Sequence, residues 1–175
     1  MIVWIVGLSG AGKTTIGTQI YHKWKENSAN TVLVDGDEIR ELFKVNKSDE
    51  SYTVESRRAN AQRIVDLCVW LDRQNVNVVC NILCIFEDIL HENRDRFSNY
   101  FEIFIDVDMN LVLKNDVKGI YQSGLLGTSS NVVGLDIDFP IPTNPDMIYK
   151  NSMEIPPSVI AEQMLARIMD RLNEK

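Results

Sequence analysis

The chain has 175 residues, 45% of them apolar and 25% charged. That length fits one domain burying roughly 70% of the surface its unfolded chain exposes, and the composition is far from disorder. The 18 basic and 25 acidic residues leave a formal charge of −7, which argues against a nucleic-acid polymer or an anionic membrane as main partner, because basic surfaces hold both. A small anionic ligand seated in a local positive pocket is compatible with it.

Residues 1–6 form an apolar run ending at a glycine, which predicts a strand buried on both faces. A glycine-rich turn follows, then Ile16, Ile20 and Trp24 at helical spacing over residues 14–25. Residues 31–34 read as a second strand that ends in Asp35-Gly36-Asp37, and residues 44–56 are polar. Ile64, Leu67, Cys68 and Leu71 place a helix over 57–74, with an apolar surface that could support a homodimer. Residues 76–85 are the third strand candidate, 88–96 a helix, 101–107 a fourth strand and 109–115 a short helix. A glycine-containing segment covers 118–134, and 138–145, with three prolines, reads as extended chain. Pro156 and Pro157 then open an amphipathic helix through Ile160, Met164, Ile168 and Leu172. Strands alternating with helices predict an α/β fold of three layers around a central parallel sheet, within a single domain spanning 1–175.

Cys68, Cys80 and Cys84 are odd in number, sit in apolar stretches and lack metal-ligand spacing, so they read as reduced, buried thiols. The start MIVWIVGLSG has no basic n-region and too short an apolar run for a signal peptide, so a cytoplasmic location is expected.

Gly7-Leu8-Ser9-Gly10-Ala11-Gly12-Lys13-Thr14 matches G-x-x-x-x-G-K-[ST] at every fixed position, between a predicted strand and a predicted helix. The glycines let successive backbone N–H groups turn toward phosphate oxygens. Lys13 adds a charge for the β- and γ-phosphates, and the Thr14 hydroxyl suits Mg²⁺. The motif implies a nucleoside triphosphate. The short chain and the lack of an Asn-Lys-x-Asp guanine-reading motif favour a small-molecule kinase over a GTPase switch or a motor.

On the acceptor side, Asp35-Gly36-Asp37 closes the second strand, at the edge where parallel sheets place ligands. One of these carboxylates can face Mg²⁺ or an attacking hydroxyl, and Arg40 lies one helical turn beyond Asp37. Arg57, Asn60 and Arg63 share a helix face, either as a clamp for an anionic substrate or as an exposed basic surface.

These blocks together resemble the adenylylsulfate kinase family over essentially the whole length. The matching residues run from the loop 7–15, through Asp35-Gly36-Asp37-Glu38-Ile39-Arg40, Tyr52-Thr53 and Arg57-x-x-Asn60-x-x-Arg63-Ile64, to Asp116-x-Lys118-Gly119-Ile120-Tyr121, Gly134-Leu135-Asp136 and Pro142-x-Asn144-Pro145. The resemblance implies ATP and Mg²⁺ as cofactors and transfer of the γ-phosphate to the 3′-hydroxyl of a small nucleotide. It implies a nucleotide loop of Gly7, Ser9, Gly10, Ala11, Gly12, Lys13, Thr14 and Thr15, with Thr14 and Asp35 at the metal. Asp37 resembles the base that orients the hydroxyl, with Lys13 and Lys118 as its catalytic companions. Arg40, Tyr52, Arg57, Asn60, Leu83, Val132 and Gly134 match substrate positions, and Lys118 lies in a lid of about residues 115–136.

The chain departs from the family on the acceptor side and in the lid. The family stacks its substrate base between two aromatic rings; the first is kept in kind as Tyr52, the second falls on Val132. A lost aromatic pair removes about 0.5–1.5 kcal/mol beyond area burial. Leu83-Cys84-Ile85 stands where Ile-Ser-Pro is usual, and Asn115, Gln122 and Leu125 replace cations. The pattern points to a retained phosphoryl-transfer site with altered acceptor recognition. It resembles a divergent branch that phosphorylates cytidine diphosphoramidate for capsule decoration, and leaves that acceptor and adenylylsulfate both open. A regulatory nucleotide-binding subunit that has lost catalysis is the alternative from another class; a kinase for a non-nucleotide metabolite is a further one.

Overall fold

The structure, a computed structural model, describes residues 1–44 and 52–173. Much of the polar stretch expected at 44–56 lies outside the described residues. The element order begins β1 (Ile2–Val6), α1 (Lys13–Asn27), β2 (Thr31–Asp35), α2 (Gly36–Leu42), α3 (Val54–Asp72) and β3 (Asn77–Ile82). It continues α4 (Glu87–Arg96), β4 (Tyr100–Asp106), α5 (Met109–Lys114), α6 (Ile120–Leu125), β5 (Met147–Lys150) and α7 (Pro157–Asn173).

All strand pairs are parallel, in the order β2-β3-β1-β4-β5. β1 lies between β3 and β4, and all five of its residues are buried. Because successive strand side chains alternate faces, Val3 and Ile5 enter one core while Ile2, Trp4 and Val6 enter the other. The first core packs against α1 and α7 through Ile16, Ile20, Trp24, Ile160, Met164 and Ile168. The second packs against α3 and α4 through Ile64, Val65, Cys68, Ile89 and Leu90. The three-layer α/β architecture expected from the alternation is thus the observed one. All three cysteines are buried and free. No described helix is long and apolar enough to cross a membrane.

α1 lies close over β3. A Cβ at Gly17 would sit 2.0 Å from Asn81 Oδ1, so this approach requires glycine. The opposite end of the sheet is tied by Arg94, which donates to Asp146 Oδ2 at 3.0 Å and to the Asn144 carbonyl, while Glu102 N donates to Asp146 Oδ2 at 2.9 Å. These bonds carry the proline-containing segment to the start of β5.

Several elements differ from the sequence expectation, the short helix α2 among them. β5 was not anticipated; it is a four-residue edge strand whose burial alternates, so no continuous apolar run marks it. The glycine-containing segment at 118–134, for which no element was expected, contains α6, whose first N–H groups are capped by the Asp116 side chain. The third strand stops at Ile82, leaving Leu83, Cys84 and Ile85 as loop.

Candidate active site

The C-terminal ends of β1 and β2 bring the nucleotide loop and the Asp35-Gly36-Asp37 turn together. Gly10 and Gly12 adopt φ of 74° and 95°, in the left-handed region that favours glycine, and Gly12 is the N-cap residue of α1. The 15-residue α1 then begins at Lys13, with its free N–H groups and positive dipole end facing the loop. Gly7 and Ala11 are buried, Ser9 is half-buried, and Thr14 and Thr15 are exposed on the first turn.

The loop's carbonyls are held by side chains. Leu8 O accepts from Lys13 Nζ at 2.7 Å, Ser9 O from the Tyr121 hydroxyl at 3.1 Å, and Ala11 O from Asn151 Nδ2 at 2.9 Å. No described peptide is cis. In a trans peptide the N–H points opposite to the C=O, so tethering these carbonyls sets the direction of the N–H groups of Ser9, Gly10 and Gly12. Asn151 is 8% exposed, and its Oδ1 also accepts from Met153 N at 2.9 Å. Neither Asn151 nor the Tyr121 hydroxyl stood out as a loop partner in the sequence, because each contact spans more than 100 residues.

Thr14 Oγ1 donates to Asp35 Oδ2 at 2.8 Å, and Asp35 Oδ1 accepts from Asp37 N at 2.9 Å, capping α2. Asp35 is 6% exposed. A hydroxyl and a carboxylate converging beside a phosphate loop are the hard oxygen donors that suit Mg²⁺, which keeps several waters and takes few protein ligands.

Asp37 meets Lys118 across 2.7 Å, joining the strand end to the lid. Desolvation, the largest influence on Asp37, pushes its carboxyl up, but Lys118, Lys13 and Arg40 together hold it below the ordinary carboxylate range. The hydrogen bond to Asp37 raises the Lys118 ammonium. Burial lowers Lys13 to about 8 against the opposing pull of Asp37 and Asp35.

Two guanidiniums lie near the Tyr52 ring, Arg40 at 5.2 Å and Arg57 at 5.4 Å from its centroid. Arg57 Nε donates to Tyr52 O and its NH2 group to Asn131 O, each at 2.8 Å, so it links the start of α3 to the lid. Desolvation lowers both arginines. Asn60 is 3% exposed; its Nδ2 reaches Gly36 O at 3.5 Å and its Oδ1 has no protein hydrogen-bond partner. Arg63 is exposed, with its guanidinium 6.0 Å from the Phe43 centroid, and its charge is close enough to help lower Arg40. Leu83 is half-buried just beyond β3.

The lid is fixed by two carboxylates. Asp116 accepts from the N–H groups of Ile120, Tyr121 and Gln122 at 3.1, 2.7 and 2.9 Å, which starts α6. Asp136 accepts from Asn131 N at 2.6 Å and from Val132 N. Val132 is 4% exposed, and its Cγ2 would lie 3.1 Å from a Cβ at Gly124. Its isopropyl group fills the lid's interior and offers little surface to a ligand. Gly134 is exposed, and a Cβ there would lie 3.3 Å from Leu8 Cδ2 and 3.6 Å from Tyr121 Cε1.

Comparison with known proteins places this geometry in context. The adenylylsulphate kinase family model matches residues 1–150. The chain is 36% identical over 151 residues to the cytidine diphosphoramidate kinase of Campylobacter jejuni, covering 86% of each protein. It is 30% identical over 172 residues to an adenylyl-sulfate kinase of a Picosynechococcus species, covering 98% of this chain and 93% of that one. Its fold superposes on the APS kinase of Mycobacterium tuberculosis, solved in complex with AMPPNP and APS, with a TM-score of 0.85 and 22% identity over 98% of this chain and 96% of that one.

Proposed function

The chain belongs to the adenylylsulphate kinase family, and from that premise we propose that it transfers the γ-phosphate of ATP to the 3′-hydroxyl of cytidine diphosphoramidate. It is a phosphotransferase with an alcohol acceptor, and its cofactors are ATP and Mg²⁺. The loop N–H groups and Lys13 hold the β- and γ-phosphates. Thr14 and Asp35 hold Mg²⁺, which when bound neutralises charge on the phosphate oxygens. Asp37 accepts the hydrogen bond of the acceptor hydroxyl, orients it and takes its proton. An ionised carboxylate is the form that work requires, and the surrounding cations favour it. Lys118 supplies positive charge from the lid, Arg40 and Arg57 meet the anionic part of the acceptor, and Tyr52 provides one face for its base.

The observation that carries the choice of acceptor is the 36% identity to the cytidine diphosphoramidate kinase across 86% of both proteins. The interior position of Val132 supports it, since an acceptor base flanked on one side only by Tyr52 suits a small pyrimidine. Adenylylsulfate is the second reading, favoured by the 30% identity to an adenylyl-sulfate kinase over nearly the full length of both chains. Incubation with Mg-ATP and each acceptor separately tests the reaction class. A 3′-phosphorylated cytidine diphosphoramidate is the expected product, and no phosphorylated product from either acceptor would contradict the kinase reading.

A further inference from the structure

The lid reaches the nucleotide loop through a phenol. Tyr121, in the first turn of α6, is 1% exposed and donates to Ser9 O at 3.1 Å. Burial pushes its hydroxyl up to about 12, so it remains a donor through the neutral range. A Cβ at Gly134 of the returning lid would lie 3.6 Å from that ring and 3.3 Å from Leu8 of the loop, so lid, ring and loop come close together there. Asp116 fixes the backbone from which the ring projects, accepting from the Tyr121 N–H and its two neighbours. Three residues before Tyr121, Lys118 reaches across to Asp37 at 2.7 Å. The segment from Asp116 to Gln122 therefore touches the donor side through Tyr121 and the acceptor side through Lys118.

The Ser9 carbonyl shares a trans peptide with the Gly10 N–H, so the two groups point in opposite directions. Holding the carbonyl on the phenol aims the Gly10 N–H away from Tyr121. We propose that Tyr121 is a positioning residue: its hydroxyl locks the Ser9–Gly10 peptide in its phosphate-facing orientation and sets the place of Lys118 over the acceptor at the same time. Lid and loop then respond to nucleotide as one body. The kinetic part of this inference rests on the phosphoryl-transfer reading above.

Tyr121→Phe removes the hydroxyl and keeps the ring. The expected result is a fall in kcat of about tenfold, from the loss of one oriented hydrogen bond, with KM for the acceptor changed less than about twofold. Tyr121→Phe in a Lys118→Met background is expected to cost clearly less than in the wild type, because the part of the loss that acts through Lys118 is already gone. Wild-type kcat in Tyr121→Phe, or full multiplication of the two losses, would overturn the proposal. Hydrogen exchange with a non-hydrolysable ATP analogue provides a readout that needs no acceptor. In the wild type, peptides covering residues 7–13 and 116–126 should gain protection together; in Tyr121→Phe the lid peptide should lose that gain while the loop keeps it. Joint protection surviving in Tyr121→Phe would refute the coupling even if the acceptor had been misassigned. If circular dichroism shows that Tyr121→Phe fails to fold, Asp116→Asn, which weakens the cap of α6, takes its place with the same expected exchange pattern, and unchanged joint protection there would also refute the coupling.

Discussion

The two halves of the site are built differently. The donor half, residues 7–15, is one contiguous stretch on a strand–loop–helix unit, with buried supports behind it: β1 between two strands, Asn151 on the Ala11 carbonyl and Ile16 in the core. The acceptor half is assembled from the ends of β2 and α2, the start of α3 and the lid, and its central ion pair is exposed, with Asp37 and Lys118 side chains at 64% and 57% exposure. An exposed ion pair contributes little to stability, about 0–1 kcal/mol, so opening this contact for a ligand costs the fold little. The donor half is specified by backbone geometry that any triphosphate satisfies. On the proposed reading, substrate choice falls to the side chains of the other half.

The largest break in that comparison should come from Asp37→Asn. Turnover should fall by a factor on the order of 10²–10⁴, while ATP binding measured by calorimetry stays near the wild-type value, since the donor half is untouched. Wild-type-like turnover would remove Asp37 from its role. The pH profile of kcat/KM for ATP probes the donor half. Lys13 has a folded pKa lowered to about 8, so it carries its charge below that pH and loses it above. The profile should therefore turn down above about pH 8, approaching a tenfold loss per unit. A flat profile through pH 10 would contradict the assignment. The same depressed value means that folding stability from this group rises with pH between about 8 and the ordinary lysine value of 10.5, where the unfolded chain binds the extra proton.

Asn151→Ala removes the donor to Ala11 O from a buried site and should cost about 1–3 kcal/mol of stability, seen as a lower thermal midpoint, together with a raised KM for ATP and an unchanged KM for the acceptor. An effect on the acceptor alone would contradict the division between halves. The smallest effect sharpens the lid. Val132→Phe puts a ring into a packed interior and should destabilise by about 1–3 kcal/mol without moving preference toward adenylylsulfate. A gain in adenylylsulfate turnover would show that the side chain can turn out toward the base.

The same division explains what was legible in the sequence. The loop, its strand and its helix are local, so the strand–loop–helix unit follows from the motif and its flanking periodicity. The Asp35-Gly36-Asp37 turn was legible for the same reason. Four-residue β5 was hidden because an edge strand buries alternate residues weakly, and with it went Asn151, whose partner lies 140 positions away. α2, with seven residues, is too short to show periodicity, and α6 has a glycine within it and glycines on both flanks. Val132 was identified as a departure at a base-stacking position, but only the fold shows its side chain turned into the lid. Tyr121 was visible as a motif member, whereas its bond to Ser9 depends on how the lid returns over the loop.

The central claim is that a conventional phosphate loop serves an acceptor half tuned to a pyrimidine nucleotide. The most direct measurement is a competition in one reaction, with cytidine diphosphoramidate and adenylylsulfate at equal concentration and limiting Mg-ATP, and the two 3′-phosphorylated products quantified by mass. The account predicts that the cytidine product dominates; a dominant adenylylsulfate product would contradict it.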